Sequence, residues 1–519
     1  MKSRRFLASV SCMEIYQCGS GARKGFNSCI RRILTTAFAI FLAFVILIHS
    51  ITYLYQRQWG NFPIETLALL EDDSHGHRQY YEWDTTSDFI PVSQDVSETS
   101  TEELCRSFPH HLVTHMVQPV LKMGHTESSD KIEAQMGSVS ACIEDLLIFS
   151  DLEETLHGRQ VIDVLADMPA AYHFENEDFV NYTRIRHQRQ QAHDQRSNDT
   201  WTLDGWRLDK YKFLPMVERA WEMRPGKRWY FFYETDTYVV WDNVFRFLAN
   251  LNHNLPLYIG SASPGLLGDN EDPDSVTFFA NGGPGFVLSR AAMKKLLHRQ
   301  TGEDGDYVEA PLSRRWLELL RNDPCGDSVL GWALHNVGID LSGYWPLFNP
   351  HPLHSIPFGN DYWCQPVLTM HKTKPDDMGK LWRWEHSRRI LNRPLLYEDL
   401  HDFHHRNRGF YLQDWDNCCW GDYQGPNVTS FAECGKACSE NEECFQYRYH
   451  LEKCTFMRFM RYGEARDPQI PSEFYDDHRW TDEQSRFMSG WAQQRIDAWI
   501  KEHKCRKVQW VRPSLKTIF

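Results

Sequence analysis

Arg228 to Val240 reads Arg-Trp-Tyr-Phe-Phe-Tyr-Glu-Thr-Asp-Thr-Tyr-Val-Val. The aromatic run Trp229–Tyr233 has no polar alternation, so it predicts a strand at a sheet centre, covered on both faces. Glu234 and Asp236 follow two residues apart and, in extended backbone, point the same way. Other apolar runs extend the pattern. Leu112–Val117 predicts a first strand that Pro119 ends or bulges. Leu146–Phe149 predicts a second, stopping at Ser150-Asp151. Leu257–Gly260 is a short strand, and Phe278–Leu288 is one interrupted by Asn281-Gly-Gly-Pro-Gly285, where backbone must bend sharply or approach a ligand. Pro215 suits the first turn of a helix with Met216, Ala220 and Met223 on one side. Ser289 caps a helix over Arg290–Leu297. Asp327 opens another, with Val329, Leu330 and Ala333 apolar. Strands alternating with helices predict an α/β domain from about Cys105 to about Arg408.

Three features set the surroundings of that domain. Ile33–Leu54 is long and apolar enough to cross a bilayer, with basic residues before it and acidic ones after. A cleaved signal peptide fits less well, because the leading region is long and no small-x-small cleavage site follows. The expected organisation is therefore a cytoplasmic tail over 1–32, a transmembrane anchor over 33–55 and an acidic, Ser/Thr-rich, mostly disordered stem over 56–104. Eleven of the 14 cysteines lie beyond the anchor, as do the sequons at Asn181, Asn198 and Asn427, which suits an oxidising lumen. An odd number leaves one thiol free or paired between chains, the latter giving a homodimer. Cys418–Cys454 is too cysteine-dense to form a core without bridges, and the C-x2-C pairs of a zinc site are missing. It predicts a small disulfide-rich module over 409–465, with a helical tail over 466–519. The net charge of −14, without a long basic run, argues against a nucleic-acid partner.

Carboxylates at the end of a buried strand need partners. In an open α/β sheet that edge is the ligand crevice. A divalent cation with a diphosphate behind it would satisfy Glu234 and Asp236 together, which points to a sugar-nucleotide site. Four motifs in order then resemble the Fringe-like and core 1 β1,3-galactosyltransferases, and more closely the fungal members of glycosyltransferase family 31. They are Trp229-Tyr-Phe-Phe-Tyr-Glu-Thr-Asp-Thr-Tyr-Val, Phe279-Ala-Asn-Gly-Gly-Pro-Gly-Phe, Cys325-Gly-Asp-Ser-Val-Leu, and Trp363-Cys-Gln-Pro with His371. The resemblance covers roughly Cys105 to Asp377. The cysteine-rich segment resembles a PAN/apple module, and by that resemblance Cys434–Cys454 and Cys438–Cys444 are expected as bridges.

The resemblance implies a GT-A-type, Rossmann-like domain in a type II Golgi membrane protein. It also implies an inverting transferase that moves a sugar, galactose in β1,3 linkage, from a UDP-sugar to a glycan or glycoprotein. Glu234, Thr235 and Asp236 match the D-x-D signature, with Glu and Thr replacing its first two acids. Asp236, Glu234 and His371 become the ligands of Mn²⁺ or Mg²⁺, and Asp327 the catalytic base. Gly282 and Gly283 would lie against the donor sugar, and Ser150, Asp151 and Lys122 would meet the uridine. Each residue also has a plainer reading: solvated acids at a turn, a structural histidine, a helix cap, a tight turn. Those substitutions also leave room for a catalytically silent carbohydrate-binding protein that works through its PAN-like module. Bridges Cys325–Cys364 and Cys105–Cys142 are expected to brace the domain.

Overall fold

Trp229–Glu234 is a strand near the middle of an eight-stranded sheet. The computed structural model describes residues 80–515, apart from 84, 92–95, 97–98, 174–175, 192–202, 268–275, 406–409, 419–421 and 471–480. The strand order is Leu341–Gly343, Tyr258–Gly260, Phe286–Ser289, Trp229–Glu234, Val117–Lys122, Leu147–Ser150, Arg159–Asp163, Glu154–Leu156. Phe286–Ser289 runs antiparallel to both neighbours, and Glu154–Leu156 is antiparallel at the edge. The other pairings are parallel. Period-two alternation explains the aromatic run: Trp229, Phe231 and Tyr233 enter one core, while Tyr230 and Phe232 enter the core on the opposite face.

Topology places the chemistry on one edge. In register, Lys122 stands opposite Glu234, so both end their strands together. The antiparallel strand Phe286–Ser289 begins opposite Phe232, which brings the 281–285 loop to the same edge. A separate three-stranded sheet, Phe348–Asn349, Thr369–Met370 and Tyr238–Val239, pairs Met370 with Tyr238. That pairing carries His371 towards Asp236, and Thr373 N donates to Asp236 O at 2.9 Å.

Several expectations are corrected. The first strand is Val117–Lys122, and the residues before it form a helix, His110–His115. Pro119 lies inside the strand; pairing with Leu147–Ser150 begins only at Val120, so Pro119 sits where the strand has one neighbour. Pro215 lies within the helix Leu203–Met223 rather than opening it. The buried stripe from Leu208 through Tyr211, Leu214 and Val217 to Ala220 outweighs the roughly 3 kcal/mol that an internal proline costs. Residues expected as a disordered stem pack instead: Tyr80–Tyr81 pairs with Trp510–Val511, and Phe89 is buried against Phe108. Among its described residues, the stretch expected as a helical tail holds the helix Gln493–Glu502 and also the strands Met488–Trp491 and Trp510–Val511. Met488–Trp491 joins a five-stranded antiparallel sheet with Tyr411–Gln413, Gln446–His450, Lys453–Met457 and Asp422–Gln424.

The membrane expectations are corrected as well. No helix among the described residues is long and apolar enough to cross a membrane. The transmembrane part of the expected fold class, and the single-pass Golgi membrane location built on it, therefore lack support. The segments 1–32 and 33–55, like the sequon at Asn198, lie outside the described residues.

Cys105–Cys142, Cys434–Cys454 and Cys438–Cys444 are bridged as expected. Cys325–Cys364 is not: Cys364 pairs with Cys505, 141 residues on, and Cys325 is a free, exposed thiol. Peptide mapping without reduction should return the Cys364–Cys505 peptide and an alkylated Cys325. Replacing both Cys364 and Cys505 by Ser removes a long loop closure. It should lower stability by about 2–4 kcal/mol, read as an earlier denaturant midpoint.

Candidate active site

The sheet edge opens into a cavity of ≈ 630 Å³ lined by residues of all four motifs, among them Glu234, Asp236, Gly283, Asp327 and His371. That volume lies within the range of small-molecule sites. Glu234, Asp236 and His371 each offer a ligand atom, and these lie within 4.8 Å of one another. His371 Nε2 is 3.4 Å from Asp236 Oδ1 and 4.0 Å from Glu234 Oε2. Asp236 Oδ1 is buried and makes no hydrogen bond. A buried carboxylate oxygen that faces an imidazole at 3.4 Å, with a second carboxylate beside it, fits a hard divalent cation such as Mn²⁺ or Mg²⁺. Burial works to raise the Asp236 carboxyl, but the His371 ring and the Lys131 ammonium hold it down at about 2.

The acids also carry internal counter-ions that sequence reasoning missed. Lys131 Nζ is 3.3 Å from Asp236 Oδ2, and Lys122 Nζ is 3.1 Å from Glu234 Oε1. Lys122 also contacts Asp209, which stands 3.6 Å from Lys212. Lys212 in turn pairs with the fully buried Asp151 at 3.0 Å. The opposite charges Asp209 and Lys212, three residues apart on one face of the Leu203–Met223 helix, are the one signal that could have pointed there. Lys131 stands on the helix Ser129–Met136 and had no such signal.

The expected uridine residues are divided. Lys122 lines the cavity, whereas Ser150 and Asp151 are wholly buried and outside its lining. Asp151 is engaged by Lys212 and by the backbone N–H of His125 at 2.8 Å. Thr235 is buried too, and its hydroxyl donates to Glu127. Burial raises the Glu127 carboxyl, and the Thr235 hydrogen bond and the lysines lower it only in part.

The glycine loop serves the protein's own packing. A Cβ on Gly283 would fall inside the His371 ring, and one on Gly282 would press on Phe213. Thr237 Oγ1 donates to Gly283 O at 2.6 Å, tying the loop to the acidic strand end. Gly282 N donates to Asp327 Oδ2 at 2.8 Å. Asp327 lies in the first turn of the helix Gly326–Asn336, whose N-cap is Cys325, so the expectation of Asp327 as the cap is corrected. Asp323 supports the helix start instead, accepting from Cys325 N at 2.7 Å and from Ser328 Oγ at 3.1 Å. Asp327 is freed from capping and held at the cavity wall. Burial above all, helped by the nearby charge of Glu234, pushes its carboxyl up to about 6.

Residues 179–315 match the family model described as Fringe-like. The matched span includes the acidic strand end and the glycine loop, and ends before Asp327 and His371. No curated protein matches the chain. Among solved structures, the crystal structure of a glycosyltransferase involved in the glycosylation of the major capsid of PBCV-1 is similar. It shares 13% identity over 40% of this chain and 95% of that one, with a TM-score of 0.21.

A raised carboxyl destabilises the fold wherever it must ionise. For Asp327 the penalty is absent below its unfolded value near 4, grows as pH rises to about 6, and is complete above that. A shift of two units corresponds to roughly 3 kcal/mol. Asp327→Asn should therefore melt higher than wild type at pH 7.5 and at about the same temperature at pH 4. A lower melting temperature for the variant at pH 7.5 would show that the carboxylate stabilises the fold.

Proposed function

We propose that this chain is an inverting, metal-dependent glycosyltransferase. It transfers a sugar from a UDP-sugar to a hydroxyl of a glycan or glycoprotein. The Fringe-like match supports a glycosyltransferase, and the motif resemblance favours galactose in β1,3 linkage. One observation carries the reading: a single cavity holds both the Glu234–Asp236–His371 cluster and a half-buried carboxylate, Asp327, outside that cluster. Two jobs that inversion must keep apart, holding the diphosphate and taking the acceptor proton, thus fall to separate groups.

Asp236, His371 and Glu234 would hold the cation, which would neutralise charge on the departing diphosphate. Asp327 takes the acceptor proton as the acceptor oxygen bonds to the anomeric carbon and the bond from that carbon to the phosphate oxygen breaks. Gly282 N–H and Ser328 N–H each donate to one Asp327 oxygen, at 2.8 and 3.0 Å, so the carboxylate is aimed before the acceptor arrives. A carboxyl near 6 is a stronger base than an ordinary one and still ionised at neutral pH. Trp206, an exposed indole lining the same cavity, offers a flat apolar face to an acceptor sugar.

Calorimetry should show that UDP binds only with Mn²⁺ present, and that Asp236→Ala removes the binding. Asp327→Asn should keep UDP–Mn²⁺ binding while transfer and donor hydrolysis fall by about 10²–10⁴-fold. Wild-type turnover should rise with pH through about 6 and level off above it, as the base ionises. If wild type binds UDP with Mn²⁺ but neither transfers nor hydrolyses the donor, a carbohydrate binder replaces the enzyme.

A further inference from the structure

Three lysines face the acids of the cavity, and they differ in freedom. Lys122 and Lys212 are buried, with 5% and 1% of their side chains exposed, and each is clamped between two carboxylates. Lys131 is 37% exposed, reaches in from the cavity rim, and its acid partner is Asp236 alone among the described residues. It takes Asp236 Oδ2 while Oδ1 of the same carboxylate stays buried without a hydrogen bond. A cation entering alone would share Asp236 with an ammonium already 3.3 Å from it, and like charges so close repel. A diphosphate changes the balance. Its oxygens offer Lys131 a second anionic partner, and a long flexible side chain on the rim can swing to it at little cost.

We propose that Lys131 is a displaceable counter-ion. It occupies the Asp236 carboxylate in the free protein and passes to the donor diphosphate when cation and nucleotide arrive, so that the two bind as a unit. The inference rests on the glycosyltransferase reading above and adds to it a reason for ordered, mutually dependent binding. By linkage the coupling is reciprocal: whatever UDP does for Mn²⁺ affinity, Mn²⁺ does for UDP.

The test is calorimetry on the full chain with Mn²⁺ alone, UDP alone and both, comparing wild type, Lys131→Met and Lys131→Arg. Lys131→Met should bind Mn²⁺ alone roughly tenfold more tightly or better, because a neighbouring like charge is worth about one pK unit or more. The same variant should bind UDP more weakly at saturating Mn²⁺, so the coupling between the two ligands shrinks. Lys131→Arg keeps the charge and should preserve the wild-type pattern. If Lys131→Met melts early, Lys131→Gln serves the same comparison. Unchanged Mn²⁺ affinity in a folded Lys131→Met protein overturns the inference while leaving the glycosyltransferase reading intact. Failure of wild type to bind UDP at any Mn²⁺ concentration overturns that reading, and the inference with it.

Discussion

Four carboxylates stand at or just behind the carboxyl edge of a sheet whose central strands are almost wholly apolar, and lysines from three different segments keep them there. Glu234 and Asp236 belong to the strand end, Asp209 to the helix Leu203–Met223, and Asp151 to the turn after Leu147–Ser150. Lys122 bridges strand to helix and Lys212 bridges helix to turn. Removing one member of a buried pair strands the other charge, at a cost of about 3–5 kcal/mol. The ion-pair lattice thus fixes how the helix lies over the sheet, and with it the cavity wall that the helix supplies through Asp209, Lys210 and Phe213. Stability and binding chemistry draw on the same residues.

How much of this was legible depended on how local each cause is. The aromatic strand, the broken Phe278–Leu288 pair and the Ser289 cap obey rules that operate over a few residues, and the chain follows them. Pro215 misled because a local preference lost to a buried stripe running through it. Leu112–Val117 misled because four of its residues belong to a short helix whose buried residue is Val113. Cys364–Cys505 could not be read, since pairing depends on which loops the tertiary fold brings together. Lys131 was silent for a different reason: a single lysine on a helix looks like a solvated face until its partner is placed. His371 was legible only through motif order, because the strand pairing that delivers it lies between segments far apart in sequence.

The C-terminal sheet is less separate from the cavity than its cysteine spacing suggested. Glu464, beside the five-stranded sheet, pairs with Lys374 at 2.7 Å and lies 3.5 Å from His354. Lys374 lines the cavity and is the N-cap of the helix Pro375–Arg388. Met460, Tyr462, Trp491 and Trp510 share a core with Phe358, Trp363 and Tyr397. The cavity rim therefore rests partly on residues that follow the expected catalytic domain, and the Cys364–Cys505 bridge fastens the same two regions.

The altered acidic motif is the feature that most invited a silent reading, and the packing around it gives each change a partner. Glutamate at 234 has one methylene more than aspartate, and its carboxylate lies 3.1 Å from Lys122 while remaining 4.0 Å from His371. Threonine at 235 cannot carry charge, yet its hydroxyl binds the carboxyl of Glu127, which burial favours in the neutral form. A third ionised acid at 235 would face Glu127 across a buried contact, a repulsion the hydroxyl avoids. The position that departs most from the acidic pattern is thus the one where a neighbouring carboxyl already stands. Asp236, at the position that retains its acid, keeps a buried oxygen turned to the His371 ring, 3.4 Å from Nε2. The rewiring around Glu234 and Thr235 leaves that oxygen facing the ring, with the Glu234 carboxylate 4.0 Å from the same nitrogen.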